Sequence, residues 1–564
     1  MGALERIKVA TTSDLPKDGT MGEFDFGDAG KVLVSKVKGE YYAMGSKCTH
    51  YGAPLAKGVI TDGGRIVCPW HGACFNAKTG DIEDAPAPNH LQSFKVEIQG
   101  SDIYVAADPE LVKKNMRATK PPTSSIAADK KGVVIVGGGS GALYGVEGLR
   151  ESGYTGPIKI ISKEPYIPID RTKLSKALID DPAKLAMRDQ QWYTDNKIDL
   201  QLGTAVTGVD VEKQTVTTEG GKTVGYEHLI LASGSYATRI PVDGSDLGNV
   251  FTLRNIEDTK AINSALEGAG VGQPELIQKA EATIGMDKMF KPNLVIIGSS
   301  FIGMESALAG AKKANVTVVG MDKVPFASIL GEQIGSALRK NHEKQGIKFY
   351  LPAELSHFEA SDKDSKKVGA VVLKSGEKLP ADVVLLGLGV KPVTDYASKI
   401  PGIVLDEKDK SINVDEQLRV KGIGKQNVYA VGDIAKFPDV KTGEIMRIEH
   451  WNVAGNHART VAAAICGNND PYNKTAIFWS AQGAQLRYCG TSKSSKFDDI
   501  HMDGNPEEMK FVAYYGKGDE VVAVASMGRD PVVTHFSELF TLKKAPTFSA
   551  IKQGKNPLDI PLTA

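Results

Sequence analysis

Along residues 1–107 apolar residues come in short runs, KVLVSKV, YYAMG, RIVC, FKVEIQG and DIYVAA, separated by Gly, Pro and Asp. Runs of this length bounded by turn residues predict strands, so the stretch reads as an all-β domain. The pattern stops at 108–130, where Lys, Pro, Ser and Ala show little apolar period and a linker is expected. It changes again at 132. GVVIVGGGSGALYGVEGLRESGYTGPIKIIS is an apolar strand, a glycine turn, a helix and a second strand, and NLVIIGSSFIGMESALAGAKKANVTVVG repeats the plan from 293. Two such βαβ units predict two α/β Rossmann-like dinucleotide-binding domains. The first is expected over 131–257 and again over 379–465. The second is expected over 258–378, with an insertion near 268–290. From 466 to 564, AIFWSAQGAQLRYCG, MKFVAYY and EVVAVAS predict an antiparallel sheet with a helical end, an α+β C-terminal domain.

Composition narrows the setting. A chain of 564 residues has room for roughly three or four domains. Sixty-eight Lys and Arg balance 68 Asp and Glu, so charge gives no reason to expect nucleic acid or an anionic membrane as partner. No apolar run approaches the ~20 residues needed to span a bilayer. The first residues look like neither a secretory signal nor a transit peptide. Arg6 stands where a myristoylation signal at Gly2 needs Ser or Thr. A cytoplasmic chain is expected, or a mitochondrial one if a leader is missing. Five cysteines, odd in number and sparse, make no disulfide framework.

Two short loops concentrate candidate ligands. Cys48 and His50 stand as C-x-H; seventeen residues later Cys68 and His71 stand as C-x-x-H. Zinc, an iron–sulfur cluster and plain core packing are the three readings. Zinc fingers usually place Cys with Cys and His with His. A Rieske [2Fe–2S] centre has two Cys on one iron and two His on the other, so mixed loops suit it best. The stretches CTHYGAPLAKG and CPWHGACFNAKTGDIEDAPA resemble Rieske ferredoxins, which implies Cys48 and Cys68 on one iron and His50 and His71 on the other. Respiratory-chain Rieske proteins also carry a loop-to-loop disulfide. Ala53 and Trp70 stand at the corresponding positions, which implies the lower-potential ferredoxin type. Cys74 is left over and reads as a small buried residue.

The first glycine turn places Gly137, Gly139 and Ala142 as G-x-G-x-x-A, before a helix whose N-terminus can hold a pyrophosphate. Alone this is a weak signal. Two distant stretches strengthen it. NVYAVGDIA, with Gly432 and Asp433, resembles the strand whose Asp holds the ribityl chain of FAD in pyridine-nucleotide reductases. HLILASGSYATRIP, with Ala232, Ser233 and Gly234, resembles that family's ATG strand. Val206 is placed in the same FAD-binding set. The acidic residue expected after the second strand is displaced: Lys163 holds the slot and Glu164 follows. RTKLSK, residues 171–176, resembles a reductase motif whose Arg and Lys approach the flavin, here Arg171 and Lys176.

The second turn carries Gly298, Ser300 and Gly303, with Ser replacing the middle glycine. Gly387 and Gly389 follow the apolar strand VVLL, the expected return strand beside nicotinamide. The resemblance implies that Glu305 pairs with Lys176 near flavin N5. Glu449 and His450 of IEHW would face the nicotinamide side, with Trp451 and Trp479 near the flavin. Asp322 can take a ribose hydroxyl, while Lys323 beside it suits a 2′-phosphate; NADH is favoured because no Arg stands at the strand end.

Taken nearly end to end, the chain resembles the Rieske-containing, apoptosis-inducing-factor-like oxidoreductases, and also ferredoxin reductases. The resemblance implies FAD, NAD(P)H and a Rieske [2Fe–2S] cluster, with Lys176 and Glu305 as catalytic residues. It implies electron transfer from NAD(P)H to FAD and singly through the cluster to an acceptor that the sequence does not name, a redox protein being one class. An NADH-responsive sensor is the alternative. No Cys-x4-Cys pair is present for disulfide reduction. A homodimer stays open.

Overall fold

In the computed structural model, residues 4–119, 131–270, 291–440, 442–490 and 496–563 are described. The N-terminal region is all-β. A six-stranded antiparallel sheet runs from Glu5–Thr11 at one edge to Thr20–Asp25 at the other, and Glu40–Gly45 lies within it. A four-stranded sheet holds Val59–Ile60, Arg65–Val67, Cys74–Asn76 and Ile82–Asp84. Alternation along Lys31–Val37 buries Val32, Leu33, Val34 and Val37 between two small cores.

The expected linker begins differently. Asp108 accepts a hydrogen bond from the Glu110 amide, Pro109 takes the first helical position, and Asn115 closes Pro109–Lys114 in a left-handed conformation. Met116–Arg117 then pairs with His90–Leu91. Local caps outweigh the missing apolar period, so 108–119 packs on the β region, while 120–130 lies outside the described residues.

Two parallel sheets follow. The first has the order Ile198–Gln201, Ile158–Ile161, Val133–Val136, His228–Leu231, Val428–Ala430. The second runs Val250–Phe251, Val383–Leu386, Asn293–Ile297, Asn315–Val319, Lys348–Tyr350. Strands buried on both faces need continuous apolar runs, and VVIV and VVLL are entirely buried. Val250–Phe251 and Val383–Leu386 both pair in the second sheet. The chain therefore crosses before residue 250 and returns after 386, unlike the expected boundaries at 257 and 379. Most of the expected insertion, 271–290, lies outside the described residues.

The last region is a five-stranded antiparallel sheet in the order Ile477–Ala481, Gln485–Gly490, Glu520–Met527, Lys510–Lys517, Asp499–Asn505, followed by helices Val532–Thr541 and Phe548–Lys552. No described helix is long and apolar enough to cross a membrane.

The β region is packed on the rest of the chain. Tyr144 donates to the Pro86 carbonyl at 2.6 Å, the Ala85 amide to Asn456 at 2.7 Å, and Arg459 to the Ile82 carbonyl at 2.8 Å. Arg188 bridges the two regions: it donates to the Pro88 carbonyl and pairs with the fully buried Glu147 at 2.7 Å. Removing either partner of such a pair leaves a buried charge, at a cost of about 3–5 kcal/mol, so these contacts hold one arrangement.

Candidate functional site

The two Cys-His loops are structural copies. In the first, the Cys48 amide donates to Ala53 at 2.8 Å and the Gly52 amide to Cys48 at 2.9 Å. In the second, the Cys68 amide donates to Ala73 at 2.8 Å and the Gly72 amide to Cys68 at 3.2 Å. Both reversals need a left-handed residue, supplied by Gly52 at φ 77° and Gly72 at φ 73°. The shared pattern C-x-x-x-G-A, repeated in CTHYGA and CPWHGA, is a signal that reading the ligands alone overlooks.

Folding brings the four side chains together in pairs. His50 Nδ1 and His71 Nδ1 are 2.9 Å apart. Two imidazole nitrogens about 2.1 Å from one metal, at roughly a right angle, lie about 3 Å from each other. The sulfurs of Cys48 and Cys68 are within hydrogen-bonding range of one another. Backbone amides of His50 and Tyr51 face the first sulfur, and those of Trp70 and His71 the second. Hydrogen bonding to Cys68, with burial, holds the Cys48 thiol well above its usual range. Burial opposes ionisation of Cys68 too, but the Cys48 bond and the two amides outweigh it and its pKa falls. Burial is the main cause lowering His50 to about 4 and His71 to about 2, so both rings are neutral, as metal ligands must be. Among the described residues no three His, Cys, Asp or Glu side chains group around one ion. Cys74 is buried and donates to the Gly72 carbonyl at 3.2 Å.

The first glycine turn is built to leave space. Gly137 has φ 126°, and a Cβ there would lie 2.1 Å from the Ala232 carbonyl oxygen. Gly139 faces open space at the start of helix Ser140–Glu151, where Ala142 is buried. Glu164 Oε2 lies 4.0 Å from where a Gly138 Cβ would be and accepts from Arg171 at 2.7 Å, while Lys163 is exposed. Asp433, beside Gly432 at φ 72°, accepts from Ser235 at 2.6 Å and Arg254 at 2.9 Å. Ser233 donates to the Val393 carbonyl at 2.7 Å, and Gly234 follows at φ 68°. Trp451 Nε1 is buried and faces the buried Tyr144 hydroxyl. Open space at Gly139, before the N-terminus of helix Ser140–Glu151, fits the pyrophosphate of a bound FAD. Val206 opens the strand Val206–Asp210, partly buried against the first core.

The second turn closes more tightly. Gly298 has φ 108°, and its Cβ would meet the Gly387 carbonyl oxygen at 2.4 Å; a Gly303 Cβ would meet the Gly298 oxygen at 2.4 Å. Ser300 donates to Gly387 at 3.1 Å, Gly389 turns at φ 82°, and Asp322 and Lys323 are exposed.

Lys176 and Glu305, 129 residues apart, form an ion pair at 3.0 Å. The buried Glu305 carboxylate also accepts from Ser175, from Ser480 at 2.7 Å and from the Ala481 amide at 3.0 Å. Ser480 and Ala481 follow Trp479, whose ring centroid is 4.2 Å from that of His71 and 5.6 Å from that of His50. Trp479 therefore packs beside both His50 and His71, a contact its expected place near the flavin does not by itself imply. Tyr51 stacks on His50 at 3.7 Å and donates to Asp170, beside the RTKLSK segment. Glu449 pairs with Arg447 at 2.7 Å. His450 packs on Phe478 at 4.7 Å, and Phe478 on Phe301 at 5.0 Å, at the start of the second turn's helix.

A family described as pyridine nucleotide-disulphide oxidoreductase matches residues 131–458, and the Rieske [2Fe-2S] domain matches residues 5–95. The chain belongs to the pyridine nucleotide-disulphide oxidoreductases. Apoptosis-inducing factor 3 of Mus musculus is 36% identical over 537 residues, 94% of this chain and 83% of that protein. The rubredoxin-NAD(+) reductase of Pseudomonas putida is 28% identical over 70% of this chain and 95% of its own length. Among solved structures, a ferredoxin reductase from Rhodopseudomonas palustris superposes with TM-score 0.66 at 28% identity, over 74% of this chain and 96% of that one. A covalent putidaredoxin reductase–putidaredoxin complex matches with TM-score 0.66 at 27% identity, over 77% and 97%. As an oxidoreductase of this family with a Rieske domain, the chain is an enzyme that uses FAD, NAD(P)H and a [2Fe–2S] cluster.

Proposed function

We propose that this oxidoreductase takes electrons from NAD(P)H, with NADH preferred, and passes them inside one chain to its own Rieske domain and on to a separate one-electron redox protein. The observation that carries this reading is the contact of His71 with Trp479, next in sequence to the residues that hold Glu305. Bound FAD accepts a two-electron hydride and releases electrons singly, while the cluster carries one at a time.

The protein contributes position and charge. Gly137, Gly139 and the helix behind them would receive the FAD pyrophosphate, with Glu164 at the ribose and Asp433 at the ribityl chain. Gly298, Ser300 and Gly303 would receive the pyrophosphate of NAD(P)H, with Asp322 at its ribose and Gly387, Gly389 and His450 on the nicotinamide side. Cys48, Cys68, His50 and His71 would hold the cluster. Glu305, with four hydrogen-bonded partners, fixes the Lys176 ammonium in place. That ammonium would set the charge beside the flavin ring, so Lys176→Ala is a way to slow hydride uptake without losing FAD. A redox-protein acceptor agrees with the rubredoxin reductase relative and with the neighbour solved in complex with putidaredoxin.

His71→Ala tests the serial route. The Rieske EPR signal should vanish, NADH should still bleach the flavin, and reduction of a one-electron protein acceptor should collapse. Undiminished reduction of that acceptor by protein lacking the cluster would overturn the route and favour a sensing role for the Rieske domain.

A further inference from the structure

Arg487 comes from the C-terminal sheet, more than 400 residues from the cluster loops in sequence. Its Cα pairs across strands with that of Trp479. While Trp479 meets His71, Arg487 Nε donates to the Trp70 carbonyl at 3.0 Å, on the peptide that leads into His71. Its other end pairs with Asp530 at 3.1 Å; the Arg487 side chain is 6% exposed and that of Asp530 28%. A buried guanidinium is costly, and its bonds to the Trp70 carbonyl and, at 3.4 Å, to the Gln485 carbonyl do not require a charge. Burial lowers its pKa, yet guanidinium stays protonated in proteins.

The cluster supplies a reason for the charge. An oxidised [2Fe–2S] core carries 2+, which two thiolates cancel, and the imidazoles are neutral. Adding one electron, with no proton, leaves a net charge of −1. A fixed positive charge nearby stabilises that reduced form, and a carboxylate opposes it.

We propose that Arg487 is a positioning residue through which the C-terminal domain raises the reduction potential of the Rieske cluster, with Asp530 as its counterweight. The proposal rests on the reading of Cys48, Cys68, His50 and His71 as cluster ligands. It makes the docked cluster a better electron acceptor than its own domain alone would make it. One unit charge acting over about 10 Å at an effective dielectric near 20 shifts an equilibrium roughly tenfold.

The test is an EPR-monitored redox titration of the full chain. In Arg487→Gln the reduced-to-oxidised ratio at fixed potential should fall about tenfold, a midpoint lower by about 59 mV for one electron. Arg487→Lys, which keeps the charge, should stay near the native midpoint. Asp530→Asn should move the midpoint upward. A purely structural role would change loading or rate but not produce opposite shifts. An unchanged midpoint in Arg487→Gln with an intact signal would overturn the proposal. If that variant loses its cluster, an unchanged or lowered midpoint in Asp530→Asn overturns it instead. A native protein with no Rieske signal would fail the ligand reading itself, a different result.

Discussion

The two glycine turns share a strand–turn–helix plan but close differently. Gly137 and Gly298 do the same job, since at each a Cβ would collide with the carbonyl of a neighbouring strand's loop. Beyond that they part. In the first turn Ala142 fits at the third position, and the middle position, Gly139, faces open space. In the second the third position must be bare, because Gly303 lies against Gly298 and Gly387, while the middle position accepts Ser300. Both turns thus demand their first glycine, and the second adds a demand at its third position, where the helix comes close to the return strand.

The largest effect expected from breaking this pattern is at Gly137. Gly137→Ala forces a side chain into φ 126° and 2.1 Å from an oxygen, a combined cost of roughly 2–6 kcal/mol. Flavin content per chain, measured by absorbance after purification, should fall to near zero. Gly303→Ala comes next. Its clash at 2.4 Å costs about 1–3 kcal/mol but sits in the second sheet's turn. FAD should stay bound while the apparent affinity for NADH drops about tenfold; loss of both together would erase the proposed division of labour between the turns. Ser300→Gly is the mildest. It removes one exposed hydrogen bond, worth about 1 kcal/mol, so NADH binding should change less than about fivefold in a titration of flavin bleaching.

The sequence makes these turns easy to find but hard to rank. Apolar runs such as VVIV announce buried parallel strands because both faces are covered. The two Cys-His loops are legible because a Rieske centre, unlike an all-Cys two-iron centre, pairs Cys with His. Helix Pro109–Lys114 hides because capping by Asp108 and Pro109, rather than an apolar stripe, defines it. The crossing strands Val250–Phe251 and Val383–Leu386 hide because their pairing is set by residues far away in the chain. Trp479 is readable as an aromatic near a flavin. Its contact with His71, and the placing of Arg487 beside it, depend on how the Rieske domain docks, which no local pattern encodes.

Docking within one chain is the central claim, and freeze-quench EPR after rapid anaerobic mixing with NADH tests it most directly. Cluster reduction is followed over about a hundredfold range of protein concentration. An intramolecular route through the Trp479–His71 contact predicts a first-order rate that does not change with concentration. A rate that rises in proportion to concentration would contradict the account, because each cluster would then be filled by a neighbouring molecule.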